Sequence, residues 1–116
     1  MIEKHDSGCY KVTIPIYLQS FYVSIGVERA SKLTGEEIEN KFSGMVKRNK
    51  SGKSLMVLCD LSHEVIGHEC HHMLLYVCED LGIIVDPENQ EPTAYLQGFI
   101  NEQVYKCIEL NNSTVK

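Results

Sequence analysis

Several features that would assign a protein class at once are missing from this chain of 116 residues. No CxxC pair occurs among its five cysteines, Cys9, Cys59, Cys70, Cys78 and Cys107. An odd, scattered set fits neither a disulfide framework nor a cysteine zinc knuckle. Cys59, Cys70, Cys78 and Cys107 sit in apolar surroundings, where free cysteine behaves as a small buried hydrophobe. A reduced, intracellular chain is the expectation. The first six residues, Met1 to Asp6, contain no apolar leader core, and no run approaches a membrane span. An excess of basic charge is absent as well. The net charge of −5 opposes a nucleic-acid-binding surface, which needs a basic patch to neutralise phosphates. The one weak basic cluster, Lys47, Arg48, Lys50 and Lys53, surrounds Ser51-Gly52 and reads as a solvated turn. Neither nucleic acid nor membrane is an expected partner.

What remains has ordinary proportions. A hydrophobic content of 43% and a charged content of 23% describe a globular chain. Its length suits one domain, 1–116, with a single core. The first half is strand-rich. Tyr10–Leu18 and Phe21–Val27 predict two strands close enough for a hairpin, with Pro15 forcing an edge position or a bend. Thr34 and Glu37 form a capping-box pattern that predicts a short helix through about Phe42. Gly44–Arg48 and Ser54–Cys59 flank the Lys50-Ser51-Gly52 turn as a second hairpin.

The second half is helical. Ile66, Cys70, Met73, Val77 and Leu81 recur at helical spacing, with Asp60 or Ser62 as N-cap and Gly82 as the stop. A final helix is expected from about Gln90 to Glu109, with Asn89 as N-cap and Pro92 in the first turn. Residues 111–116 are polar and read as a flexible tail. The expected fold class is α+β, a small antiparallel or mixed sheet packed on these two helices.

Four of the five histidines fall within ten residues: His63, His68, His71 and His72. In a helix, residues i and i+4 differ in direction by about 40°, so His68 and His72 project side by side. Two imidazoles so placed can share one zinc ion at about 2.0–2.1 Å. Glu69 falls where an HExxH glutamate acts as general base. His63 and His68, at i+5, point roughly 140° apart and cannot chelate from a regular helix. His71 lies about 100° from His72 and faces the core or an interface. The His68/His71 pair is geometrically possible, but only His68/His72 places a glutamate in the HExxH register.

A catalytic zinc takes three protein ligands and keeps one position open. Glu79 and Asp80 lie on the metal helix itself and cannot fold back; Asp86 and Glu88 lie in the following turn. Glu91 opens the next helix, which must return antiparallel, and is the best placed of the five.

The segment His68-Glu69-Cys70-His71-His72, followed by Asn89-Gln90-Glu91-Pro92-Thr93-Ala94-Tyr95, resembles the minimal gluzincins. The likeness is greatest to small phage- and prophage-encoded metallopeptidases. It spans about Leu55 to Tyr105 and rests on the HExxH helix, a glycine-containing connection and an N-x-E-P-x-A-Y helix. The resemblance implies a zincin-like fold, a zinc ion held by His68, His72 and Glu91, and Glu69 as the catalytic base. Where larger gluzincins often carry an aspartate one turn after the ligand glutamate, this chain has Tyr95. Its hydroxyl could orient a zinc histidine or donate to an oxyanion, and its ring could simply pack; Tyr76 and Tyr105 are the other candidates for an oxyanion donor. The implied activity is hydrolysis of a peptide or protein substrate in the cytoplasm of a bacterial host. A catalytically silent, zinc-stabilised adaptor acting on a host protein is the alternative. The strand Ser54–Cys59 is a candidate for binding an extended peptide by strand addition, provided one of its edges is free.

Overall fold

A computed structural model describes residues 1–6, 8–26, 43–48 and 54–114. The expected helix at 34–42 lies outside the described residues. The chain forms β1 (Ile2–Asp6), β2 (Cys9–Ile14), β3 (Gln19–Ile25), β4 (Gly44–Arg48), β5 (Ser54–Leu58), α1 (His63–Leu81) and α2 (Glu91–Thr114). The strands make one mixed sheet in the order β1-β2-β3-β5-β4. All its pairings are antiparallel except β3 with β5. The architecture is α+β.

Both expected antiparallel pairings exist, Val12 opposing Phe21 in one and Val46 opposing Met56 in the other, and the turn expected at Lys50-Ser51-Gly52 lies outside the described residues. The first is shorter than its sequence pattern. Pro15 has no N–H to give the ladder, so β2 stops at Ile14 and residues 15–18 turn. Leu18 closes that turn with φ 55°, its N–H bonded to the Ile14 carbonyl at 2.9 Å. β1 was not anticipated. Its polar run carries no alternating signal, yet it pairs with β2 as an edge strand.

The strand-addition role assigned to Ser54–Cys59 is overturned. β5 lies between β3 and β4 with both edges paired, and all five of its residues are buried. Cys59 is exposed just past the strand, against the expectation of burial for it, and Cys9, for which the sequence sets no expectation, is buried.

Alternation divides the sheet into two faces. Tyr10, Val12, Phe21, Val23, Met56 and Leu58 join the helices in the main core; Cys9, Tyr22, Leu55 and Val57 form a smaller cluster. α1 contributes the expected stripe Ile66, Cys70, Met73 and Val77, none more than 5% exposed. Each apolar side chain so buried contributes about 1.5–3 kcal/mol.

The helix ends follow their caps. Ser62 Oγ accepts from the Val65 N–H at 3.3 Å, so Ser62 caps α1 and Asp60 supports it by accepting from the Ser62 N–H. Gly82 takes a left-handed φ of 70°, its N–H bonding the Glu79 carbonyl while the Ile83 N–H bonds the Cys78 carbonyl. That paired closure needs a residue tolerant of positive φ. α2 begins one residue later than expected. The Gln90 carbonyl accepts the first helical bond, from the Ala94 N–H, while Asn89 closes a turn onto the Asp86 carbonyl. Its C-terminal end continues to Thr114, through most of the expected tail. No helix among the described residues is long and apolar enough to cross a membrane.

Candidate metal centre

α1 is built to hold side chains still. It is capped at both ends, anchored by its apolar stripe, and runs beside the outermost strand β4. Its His68 and His72 project from the exposed side, their Nε2 atoms 3.1 Å apart. Two nitrogens each about 2.0–2.1 Å from a tetrahedral zinc stand about 3.3 Å apart. The pair therefore has the bite that one ion requires. Glu69, only 6% exposed, places Oε2 3.9 Å from His68 Nε2. Ligand atoms of His68, Glu69 and His72 all lie within 4.8 Å of one another, a group that could hold a metal ion. A carboxylate this buried is costly alone and favours a cation beside it.

The room for Glu69 comes from Gly44. A Cβ built there would stand 2.9 Å from Glu69 Cγ and 3.1 Å from Val65 Cγ1. The first residue of β4 must therefore be glycine for strand and helix to approach so closely. Residues 44–46 of β4 then form one wall of a recess whose other wall is His68, Glu69, His72 and Tyr76. β4 is an edge strand, so beyond this wall no described strand pairs with it.

The other two histidines of α1 are engaged elsewhere. His63 Nδ1 hydrogen-bonds the Tyr105 hydroxyl and His71 Nδ1 meets Gln97 Oε1 at 3.2 Å, both partners on α2. Gln97 is itself held by donating to Asn101 Oδ1 at 2.8 Å. Cys70, inside the motif, turns into the core, where burial pushes its thiol up to about 12. It is a protonated packing group at neutral pH and supplies no thiolate.

His68, Glu69 and His72 thus come together. Glu91 is the exposed first residue of α2 and is not a member of their group. Tyr95 is 53% exposed on α2, and the recess at the histidine pair is lined instead by Tyr76. Arg48 is not part of a solvated turn. It ends β4, with Nη1 donating to Glu79 Oε1 at 3.0 Å and Nη2 donating to Asp80 Oδ1 at 2.6 Å and to the Tyr76 carbonyl at 2.8 Å. Two roles escaped sequence reasoning, those of Gly44 and Arg48. The strand period did hold a signal for them: residues 44, 46 and 48 share one face, but nothing in the sequence states that this face meets α1.

Comparison with known proteins supplies no relative, since no family model, curated protein or solved structure matches the chain.

Proposed function

We propose that this protein is a small zinc-dependent peptidase in which His68 and His72 hold the ion and Glu69 is the general base. The observation that carries the reading is the 3.1 Å approach of the two Nε2 atoms with the Glu69 carboxylate beside them. Zinc, when bound, lowers the pKa of its water towards 7 and polarises a substrate carbonyl. Glu69 accepts the proton of the attacking water at a carboxylate oxygen and returns it to the amine nitrogen as the C–N bond breaks. The substrate peptide lies along the outer edge of β4, the strand that borders the recess. β4 takes over the role that β5, paired on both sides, cannot fill.

Glu91 enters this reading as third ligand through the resemblance to the minimal gluzincins, which also suggests phage origin and a bacterial host cytoplasm as the place of action. Metal analysis tests that ligand separately. One equivalent of zinc retained by Glu91→Ala removes Glu91 from the set.

The test of the activity is Glu69→Gln. Retained zinc with peptide cleavage lowered by roughly 10²–10⁴-fold is the expected result, the usual contribution of a positioned general base. Zinc retained with no cleavage in the wild type, or cleavage indifferent to Glu69→Gln, replaces the peptidase with the catalytically silent adaptor.

A further inference from the structure

Three successive turns of α1 present polar side chains to the recess beside β4, and the last of them, Tyr76, has no part in holding the ion. Tyr76 follows His72 by four residues, so it rises from the same side of the helix one turn on. It lines the recess with His68, Glu69 and His72 and is half-buried there. Its ring is fixed from the strand side. The Arg48 guanidinium carbon stands 4.7 Å from the ring centroid, and Nη2 of the same guanidinium donates to the Tyr76 carbonyl at 2.8 Å. Glu79 and Asp80, at 3.0 and 2.6 Å, clamp the guanidinium in turn. A single arginine at the end of β4 thus grips one residue by its backbone and its ring face together.

We propose that Tyr76 is the hydrogen-bond donor that faces the substrate at this site, and that Arg48 is its positioning residue. The inference rests on the reading of His68, Glu69 and His72 as a metal site. A phenol held rigidly beside a metal-ligand pair can donate to negative charge developing on a substrate oxygen without reorganising first. Arg48 acts through placement rather than charge, because two carboxylates already neutralise it. Lysine cannot reproduce the fork and the stacking at once. Of the three tyrosines that the sequence offers as donor, Tyr95, Tyr76 and Tyr105, the assignment selects the one on the metal helix itself.

The experiment uses the full chain loaded with zinc, with Tyr76→Phe and Arg48→Lys as variants. Zinc stoichiometry, cleavage of a quenched-fluorescent peptide pool and calorimetric binding of acetohydroxamate are measured together. Tyr76→Phe is expected to keep one zinc, to lower kcat roughly 10²–10³-fold, as loss of one oxyanion donor does, and to leave KM near wild type. It should also weaken acetohydroxamate at least tenfold, because the hydroxamate oxygen loses the same donor. Arg48→Lys should shift kcat and hydroxamate affinity in the same direction by less, with thermal stability of the zinc-bound protein near wild type. Unchanged kcat and hydroxamate affinity in Tyr76→Phe overturn the proposal, as does a change confined to KM or to zinc content. If the wild type binds zinc but cleaves nothing, the peptidase reading fails by itself. The hydroxamate comparison then still decides whether Tyr76 faces the ion's open side.

Discussion

Two sides of α1 carry two histidines each, and they have opposite fates. On the side towards β4, His68 and His72 face one another across 3.1 Å, exposed and without a partner from α2. On the side towards α2, His63 and His71 are spent separately, on Tyr105 and Gln97. The residue type is the same and the helix is the same. What differs is direction around the axis, about 40° between the first two and about 100° between His71 and His72. Side chains that converge can share an ion, and side chains that meet a neighbouring helix become its contacts. Clustering of histidines in sequence is therefore a poor guide to which of them converge, and spacing modulo the helical turn is a good one.

The contrast is broken most directly by exchanging the two sides. His72→Ala should lower zinc affinity by roughly a hundredfold or more, since a lone imidazole remains on that face. His71→Ala should leave affinity within a few-fold, and competition with a chromogenic chelator measures both. Equal losses would mean that the α2 side also takes part in binding.

Next in size is Gly44→Ala, which puts a methyl 2.9 Å from Glu69 Cγ. Overpacking of this kind costs about 1–3 kcal/mol. A fall in the urea midpoint accompanied by weaker catalysis is expected, because the displaced group is the carboxylate. On the other side, Gln97→Leu gives up one neutral hydrogen bond and should cost only about 1 kcal/mol, with zinc affinity untouched.

The core-facing sides of the two helices give a third comparison, Cys70 lying on α1 and Cys107 on α2. Burial raises Cys70 and Cys107 from the ordinary 9.0 to about 12. Folded values above unfolded ones mean that this contribution to stability is complete below pH 9. It is lost as pH rises from 9 towards 12, where the unfolded chain ionises first. Thermal melts across that range should show a steady decline. At pH 8 a thiol reagent should modify the exposed Cys59 quickly and reach Cys70 only on unfolding, and Cys59→Ser should abolish the fast phase. The smallest effect belongs to Tyr95→Phe. With Tyr95 exposed on α2, kcat should change less than about twofold, against the large loss expected for Tyr76→Phe.

Local rules determined much of this protein from sequence. The period of Ile66, Cys70, Met73 and Val77, the Ser62 cap and the Gly82 stop specify α1, and a specified helix already puts His68 and His72 side by side. Both antiparallel strand pairs were legible from their apolar runs. These features depend on torsion angles and on neighbours a few positions apart, which the chain states explicitly.

Long-range placement was decided only by the tertiary structure. β5 became an inner strand because β3 pairs with it in parallel, a choice that no local pattern encodes. That choice left β4 at the edge and brought Gly44 against Glu69 and Arg48 against Tyr76, pairs separated by more than twenty residues. How α2 packs was likewise not stated by any local pattern, and Glu91 at its start lies outside the group formed by His68, Glu69 and His72. Which two histidines can share an ion follows from the geometry of one helix. Which other residues surround that pair follows from how sheet and helices pack.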